Sequence, residues 1–158
     1  MAIEKSELRR VIGHFATGVT VITTRNNSGD PYGLTANAVT SVSLAPPLIL
    51  ICVDKAADCH PCFLETEVFV VNILSEQQEH LSRRFATKGI AKFDGVPYRA
   101  GRTGCPVLED SAGHLECRII RAHDGGDHTI YVAEVSEGDA SELLPLLFYR
   151  GGYRKLAT

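Results

Sequence analysis

Six consecutive residues, Val19-Thr20-Val21-Ile22-Thr23-Thr24, are β-branched, and the run stops at the turn formers Asn26-Asn27-Ser28-Gly29-Asp30. Branching at Cβ restricts χ1 and suits the pleated surface of a sheet better than a helix. An extended stretch resumes at Tyr32, so the two runs read as a β-hairpin. The pattern recurs downstream. Leu115, Cys117 and Ile119 alternate with Glu116 and Arg118, Asp124-Gly125-Gly126-Asp127 supplies turn chemistry, and Thr129 to Val135 extends again, giving a second hairpin. Two further apolar runs have strand length: Leu48 to Val53, after Pro46-Pro47, and Val68 to Ile73. The first is expected to be buried on both faces.

Helical signals are fewer. Leu8, Val11, Ile12 and Phe15 fall on one face of a helix over Ser6 to Phe15, with Ser6 as its cap and Gly18 as its stop. Ser75 and Gln78 have the spacing of a capping box ahead of a helix through Leu81 to Phe85. Six or seven strands in consecutive hairpins, against two or three short helices, imply a mainly β fold, antiparallel and closed or half-closed into a barrel. With 158 residues of which 44% are hydrophobic, the chain buries roughly 70% of its extended surface and reads as one domain without staples. The charge balance, 16 basic against 19 acidic residues, gives no basic footprint for nucleic acid. No window approaches a membrane span, the first ten residues are charged, and five cysteines are an odd number, which together suit a reducing cytoplasm.

The usual nucleotide and hydrolase motifs (GxGxxG, GxxxxGK[ST], HExxH, GxSxG) are absent, which excludes a Rossmann turn or a P-loop. The least ordinary segment is Gly33-Leu34-Thr35-Ala36-Asn37-Ala38-Val39-Thr40-Ser41-Val42-Ser43, where hydroxyl and amide side chains stand among small neighbours. Small residues admit a ligand close to the backbone, and hydroxyls and main-chain N–H groups bind polar edges without full charge. A solvent-facing strand with its Thr and Ser on the wet side explains the same composition.

Phe15-Ala16-Thr17-Gly18-Val19-Thr20-Val21-Ile22-Thr23, Gly33 to Ala38 through Ser41-Val42-Ser43, and Pro46-Pro47-Leu48 resemble the amino-terminal half of the short-chain flavin reductases. Those are the reductase components of two-component flavin-dependent monooxygenases. The resemblance continues through Val71 to Leu74, Phe85-Ala86, Lys92 to Val96, Gly126 to Ile130, Pro145 to Tyr149 and Gly151 to Tyr153, in order along nearly the whole chain. It implies one flavin reductase-like domain over residues 1–158, an FMN-binding split β-barrel, and a homodimer. It also implies hydride transfer from NADH or NADPH to FMN or FAD, and delivery of the reduced flavin to a partner monooxygenase. The resemblance places flavin along Thr35, Ala36, Asn37, Ala38, Ser41, Val42 and Ser43, and at the strand end Cys52, Val53, Asp54 and Lys55. Phe85, Ala86 and Phe93 match positions near the flavin, and Lys88 or Lys92 would face its phosphate, a solvated lysine being the commoner fate of either. His128 matches a histidine that positions the nicotinamide; no proton transfer is assigned to it, because hydride passage needs stacking and orientation. Tyr149, Arg150, Gly151, Gly152 and Tyr153 match a closing stretch near the nicotinamide nucleotide, or equally a carboxy-terminal strand ending in a turn.

Asp58-Cys59-His60-Pro61-Cys62 departs from the pattern, since relatives usually carry Ser or Thr there and contact the flavin phosphate from it. A CxxC pair is compatible with redox thiols or half a metal site, but no second pair of matching spacing completes four ligands. Cys62 is expected to face the core of a short helix through Phe63 and Leu64. His14 and His80 fall on expected helices, and His60, His114 and His123 lack partner spacing, so surface or capping roles are expected. A non-catalytic FMN-binding electron carrier on the same barrel would dispense with His128 and the Tyr149 to Tyr153 stretch. A thiol or zinc protein would depend on Cys59 and Cys62.

Overall fold

The computed structural model describes residues 1–158. In chain order it comprises α1 (Lys5–Ile12), β1 (Thr17–Gly18), β2 (Thr20–Arg25), β3 (Pro31–Ala36), β4 (Val39–Leu44), β5 (Pro47–Asp54), α2 (His60–Thr66) and β6 (Val68–Ile73). There follow α3 (Glu79–Phe85), β7 (Tyr98–Ala100), β8 (Pro106–Leu108), β9 (Gly113–Gly125), β10 (His128–Ala140), β11 (Leu147–Tyr149) and β12 (Gly152–Arg154). Seven strands form one antiparallel sheet in the order β3-β2-β6-β9-β10-β5-β4. Its two edge strands, β3 and β4, are joined by only Asn37 and Ala38. The sheet therefore curls until its ends meet at one corner without pairing along their length, the half-closed barrel expected from the hairpins.

Cores lie on both sides of β2 and β6, which are buried along nearly their whole length. One cluster fills the concave side, with Ile22, Ile51, Val53, Phe69, Val71, Tyr131 and Phe63 of α2. The Phe63 and Tyr131 rings stack at 5.5 Å. The other cluster packs Val19, Val21, Leu74 and Leu146 beneath Leu81 and Phe85 of α3. Full two-sided burial thus belongs to β2 and β6 rather than to Leu48 to Val53. There Ile49, Ile51 and Val53 are buried, while Leu48, Leu50 and Cys52 are half-buried, because the clusters that cover the second face of β2 and β6 include no residue of β5.

Other expectations are corrected. Helix α1 begins at Lys5 with no side-chain cap and ends at Gly13, so Ser6 lies within its first turn and Gly18 belongs to β1. Its apolar face is exposed, Phe15 by 75%. The capping box is half made: Gln78 Oε1 accepts the Ser75 N–H at 2.9 Å, but the Ser75 hydroxyl has no partner and α3 starts at Glu79. The second hairpin is longer than its apolar alternation indicated, 13 residues a strand, and its loop shrinks to Gly126-Asp127 with Gly126 at φ 78°. Residues 120–127 are exposed, so that ladder projects beyond the core, where no hydrophobic period is needed. Strands β7 and β8 form a small flap secured by the buried Glu116, whose carboxylate accepts the Thr103 N–H and hydroxyl, both at 3.0 Å. No helix is long and apolar enough to cross a membrane.

Candidate functional site

The seam where β3 turns into β4 is built from small residues because two strands must diverge there within two positions. Thr35 Oγ1 donates to the Ser82 carbonyl at 2.6 Å, tying β3 to α3. Asn37 and Ala38 are exposed, and the Cys52 N–H donates to the Ala38 carbonyl at 3.1 Å. Beyond them β4 pairs with β5 on one side only. Thr40 lies opposite Leu50 and Ser41 opposite Ile49, and a bulge at Val42 restores Ser43 opposite Leu48. Thr40, Ser41 and Val42 are exposed and Ser43 half-buried, so this edge is open rather than packed into the interior. An open edge with hydroxyls, an amide and unpaired backbone groups offers the donors and acceptors that a flat heterocycle's polar rim requires, and its small side chains leave room for the ring. The donor set fits a flavin.

The end of β5 brings a second group of expected residues to the same corner. Cys52 is half-buried opposite Ile130, Val53 is wholly buried in the core, and Asp54 lies opposite His128 in the β5–β10 ladder. The Val53 side chain therefore packs the barrel, and only its backbone is available to a ligand. Asp54 accepts the Ala56 N–H at 2.8 Å, the Lys55 N–H donates to the Asp127 carbonyl at 3.0 Å, and Lys55 Nζ pairs with Asp124. His128 Nδ1 lies 2.7 Å from Asp127 Oδ1. A carboxylate only accepts, so Nδ1 is the donor and Nε2 is left for a ligand. That ring N–H holds the Asp127 carboxyl below its usual range, and Lys5 of α1 adds to the effect.

A cavity of about 330 Å³ adjoins the seam, lined by Asp30 to Gly33, Asp58, Cys59 and Ile90 to Asp94. Of the expected site residues only Lys92 and Phe93 line it. Phe85 packs behind Gly33 and Phe93: a Cβ at Gly33 would sit 3.0 Å from the Phe85 ring, whose edge meets Phe93 at 5.0 Å. Ala86 and Lys88 are exposed on the turn after α3. Lys92 Nζ donates to the carbonyls of Gly33 and Phe85 at 3.1 and 3.0 Å, bracing the wall. Tyr32, Ile90 and Ala91 carried no sequence signal as site residues, since the start of β3 and two loops distant in sequence meet there only after folding.

The carboxy-terminal hairpin turns through Arg150 and Gly151 at φ 49° and 76°, the paired left-handed conformation of a two-residue loop, which makes glycine apt at 151. The Arg150 N–H donates to the Gly13 carbonyl at 2.9 Å, and the Tyr149 ring meets His14 edge-on at 6.2 Å. Tyr153 Oη shares a 2.7 Å hydrogen bond with Ser82 Oγ, and the Arg83 guanidinium lies 4.9 Å from the centre of its ring. Gly152 abuts the Arg154 guanidinium. Thr35, Ser82 and Tyr153 thus link the seam to this hairpin through α3. No hydrogen bond joins the hairpin to His128.

Cys59, just before α2, and Cys62 within it are buried and not bonded to one another, and burial pushes the Cys59 thiol up to about 12 and raises Cys62 as well. No three His, Cys, Asp or Glu side chains are placed to hold a metal ion. His60, expected at the surface, is half-buried, with Nε2 hydrogen-bonded to Thr129 Oγ1 at 2.8 Å and 3.5 Å from Tyr131 Oη.

The flavin reductase like domain matches residues 12–157. The chain is 40% identical over 151 residues to the reductase component of a 4-nitrophenol 4-monooxygenase/4-nitrocatechol 2-monooxygenase of Rhodococcus opacus, covering 96% of this chain and 80% of that one. It is 42% identical over 162 residues to an NADH-dependent FAD reductase of Streptomyces globisporus, covering 98% and 87%. The solved structure of Streptomyces globisporus NADH:FAD oxidoreductase SgcE6 with NAD and FAD fragments superposes with a TM-score of 0.92 at 42% identity, covering 98% of this chain and 93% of that chain. Nitrilotriacetate monooxygenase component B from Mycobacterium thermoresistibile gives a TM-score of 0.92 at 37% identity, covering 97% and 87%. With the family's domain matched over residues 12–157, the chain belongs to the flavin reductase-like family.

Proposed function

We propose that this protein is an NAD(P)H:flavin oxidoreductase acting as one flavin reductase-like domain, which reduces FMN or FAD and passes the reduced flavin to a partner monooxygenase. The observation that carries the reading is the open seam from Thr35 to Ser43, flanked by the Asp54–His128 pair on one side and a cavity on the other. Bound there, the flavin accepts a hydride from the nicotinamide. The chain's own part is to bind and orient. Thr35, Asn37, Ser41, Ser43 and the main chain of Ala36, Ala38, Val42, Cys52 and Val53 hold the ring's polar rim, with Asp54 and Lys55 closing that end. Phe85, Ala86, Lys88, Lys92 and Phe93 form the side toward the flavin's tail. His128, its tautomer set by Asp127, presents Nε2 to the nicotinamide, while Tyr149 to Tyr153 close the opposite rim. No protein acid or base is required, since positioning supplies the rate advantage.

A homodimer is part of the proposal. Leu8, Val11, Ile12 and Phe15 on and after α1, with Val42 and Leu44 (91% exposed) on β4, leave more apolar surface uncovered than isolated side chains account for. Five unbridged cysteines suit a reducing compartment such as the cytoplasm. The test is a steady-state matrix of NADH and NADPH against riboflavin, FMN and FAD, followed by nicotinamide absorbance. Oxidation that depends on added flavin is expected. No oxidation in any combination would refute the reading, and a yellow protein that keeps its flavin through desalting without turnover would favour an electron carrier.

A further inference from the structure

In the Asp58 to Cys62 segment, one side chain has hydrogen bonds that lead toward the nicotinamide side of the site. His60 opens α2, which is anchored by Cys59, Cys62 and Phe63, all buried, so its ring is held from a rigid base. It is half-buried, and two hydroxyls converge on its Nε2: Thr129 Oγ1 at 2.8 Å and Tyr131 Oη at 3.5 Å. Both hydroxyls can donate, so Nε2 serves as the acceptor and the ring proton sits on Nδ1. Burial raises the Tyr131 phenol above its ordinary range, which keeps it protonated at neutral pH. The Tyr131 ring is itself fixed by stacking on Phe63 of the same helix.

Thr129 follows His128 directly and stands where the β9–β10 arm leaves the body of the protein. Side chains alternate along β10, so Thr129 shares the inward face of Tyr131 and Ala133, while His128 and Ile130 lie on the other face. Residues 120–127 are all exposed, which makes Thr129 the outermost inward-facing residue of β10. Outside the strand ladders, side-chain hydrogen bonds tie residues 120–130 to the rest of the chain at two points. One is the Lys55–Asp124 pair, exposed on both sides, and such surface pairs contribute little. The other is the half-buried bond from Thr129 to His60. A backbone shift at Thr129 carries the His128 ring with it, and hydride passage tolerates little displacement of the groups that orient its donor.

We propose that His60 is a positioning residue for the reaction: through Thr129 it fixes the base of the β9–β10 arm, and thereby the place of His128 against the nicotinamide. The proposal rests on the reductase reading above. Steady-state kinetics with each substrate varied in turn are compared for the wild type, His60→Ala, His60→Asn, His60→Gln, Thr129→Val and the His60→Ala/His128→Ala double variant. His60→Ala and Thr129→Val are each expected to raise KM for the nicotinamide about fivefold and to leave kcat and the flavin KM within about twofold. His60→Gln, whose Oε1 can stand where Nε2 stands and accept from Thr129, should restore the wild-type KM, and the shorter His60→Asn should not. In the His128→Ala background, His60→Ala should change nothing further, because its effect passes through that ring. A KM raised equally for flavin and nicotinamide, no change in either single variant, or full multiplication of the two effects in the double variant would overturn the proposal and leave the reductase reading intact. Long-range proton–nitrogen correlation spectra of the imidazole rings give a readout independent of turnover. The His128 signals should be displaced or broadened in His60→Ala and Thr129→Val and restored in His60→Gln, and unchanged signals in both would equally overturn the proposal. A wild type without turnover for any nicotinamide and flavin would refute the reductase reading, and the spectra would still decide whether His60 positions His128.

Discussion

His128 is the residue on which the nicotinamide side of the proposal turns. Its ring is oriented by a 2.7 Å bond to an exposed Asp127. His128→Ala is expected to raise KM for the nicotinamide about tenfold and to leave flavin affinity within twofold, a loss of ground-state binding in steady-state kinetics. A kcat loss near a thousandfold, with a changed pH profile, would instead signal proton transfer. Gly33 gives a packing prediction. A Cβ there meets the Phe85 ring at 3.0 Å, inside the wall that Lys92 braces, so Gly33→Ala should cost about 1–3 kcal/mol in denaturant unfolding. Glu116 supplies a pH signature. Burial pushes its carboxyl up, but the Thr103 N–H and hydroxyl and the Arg102 N–H outweigh that and hold it below its ordinary value of 4.5. A depressed folded-state value stabilises above the unfolded value and is lost as pH falls through the folded one. The stability advantage of the wild type over Glu116→Gln should therefore be full above about pH 5 and shrink on acidification, as read from melting temperatures across pH. Single residues were legible in the sequence only where a family motif named them. His128 and the Thr35 to Ser43 hydroxyls were marked in that way, whereas Tyr32 and Ile90 carry no local signal, because a wall assembled from β3 and two distant loops exists only after folding.

Among the elements, α3 joins the two sides of the site. Its Ser82 accepts from Thr35 through the carbonyl and bonds Tyr153 through the hydroxyl. Tyr153→Phe and Ser82→Ala should each cost about 1 kcal/mol, and the double variant little more than either, since both remove the same bond. Full additivity in chemical denaturation would show that the bond contributes nothing. Strand identity was readable where β-branched runs met turn formers, as at β2 and β3. It faded where a strand ran past the core, as in residues 120–125 of β9, because exposed ladders need no hydrophobic alternation. The start of α3 was misread for a related reason: Ser75 is held in a bridge to Pro145, and its backbone is committed before the helix begins. The CxxC spacing ends with both thiols buried and unbonded to one another.

For the whole molecule, the sheet order places the first and last strands beside each other at Asn37 and Ala38, and the open corner follows from that topology. Antiparallel pairing was legible from hairpins, but the curl was not, since strand order depends on long-range contacts that no local pattern encodes. The apolar face of α1, legible from its period, is uncovered in one chain. If a second copy covers it, Val11→Asp should convert the dimer to monomer in light scattering, and an unchanged dimer mass would place the interface elsewhere. The most direct test of the central claim is a crystal structure with flavin bound. The isoalloxazine is expected against Ala36 to Ala38 and the open edge of β4, with one face free for a nicotinamide and its tail toward Lys92 and Phe93. A flavin bound away from that corner, with Thr35 to Ser43 untouched, would contradict it.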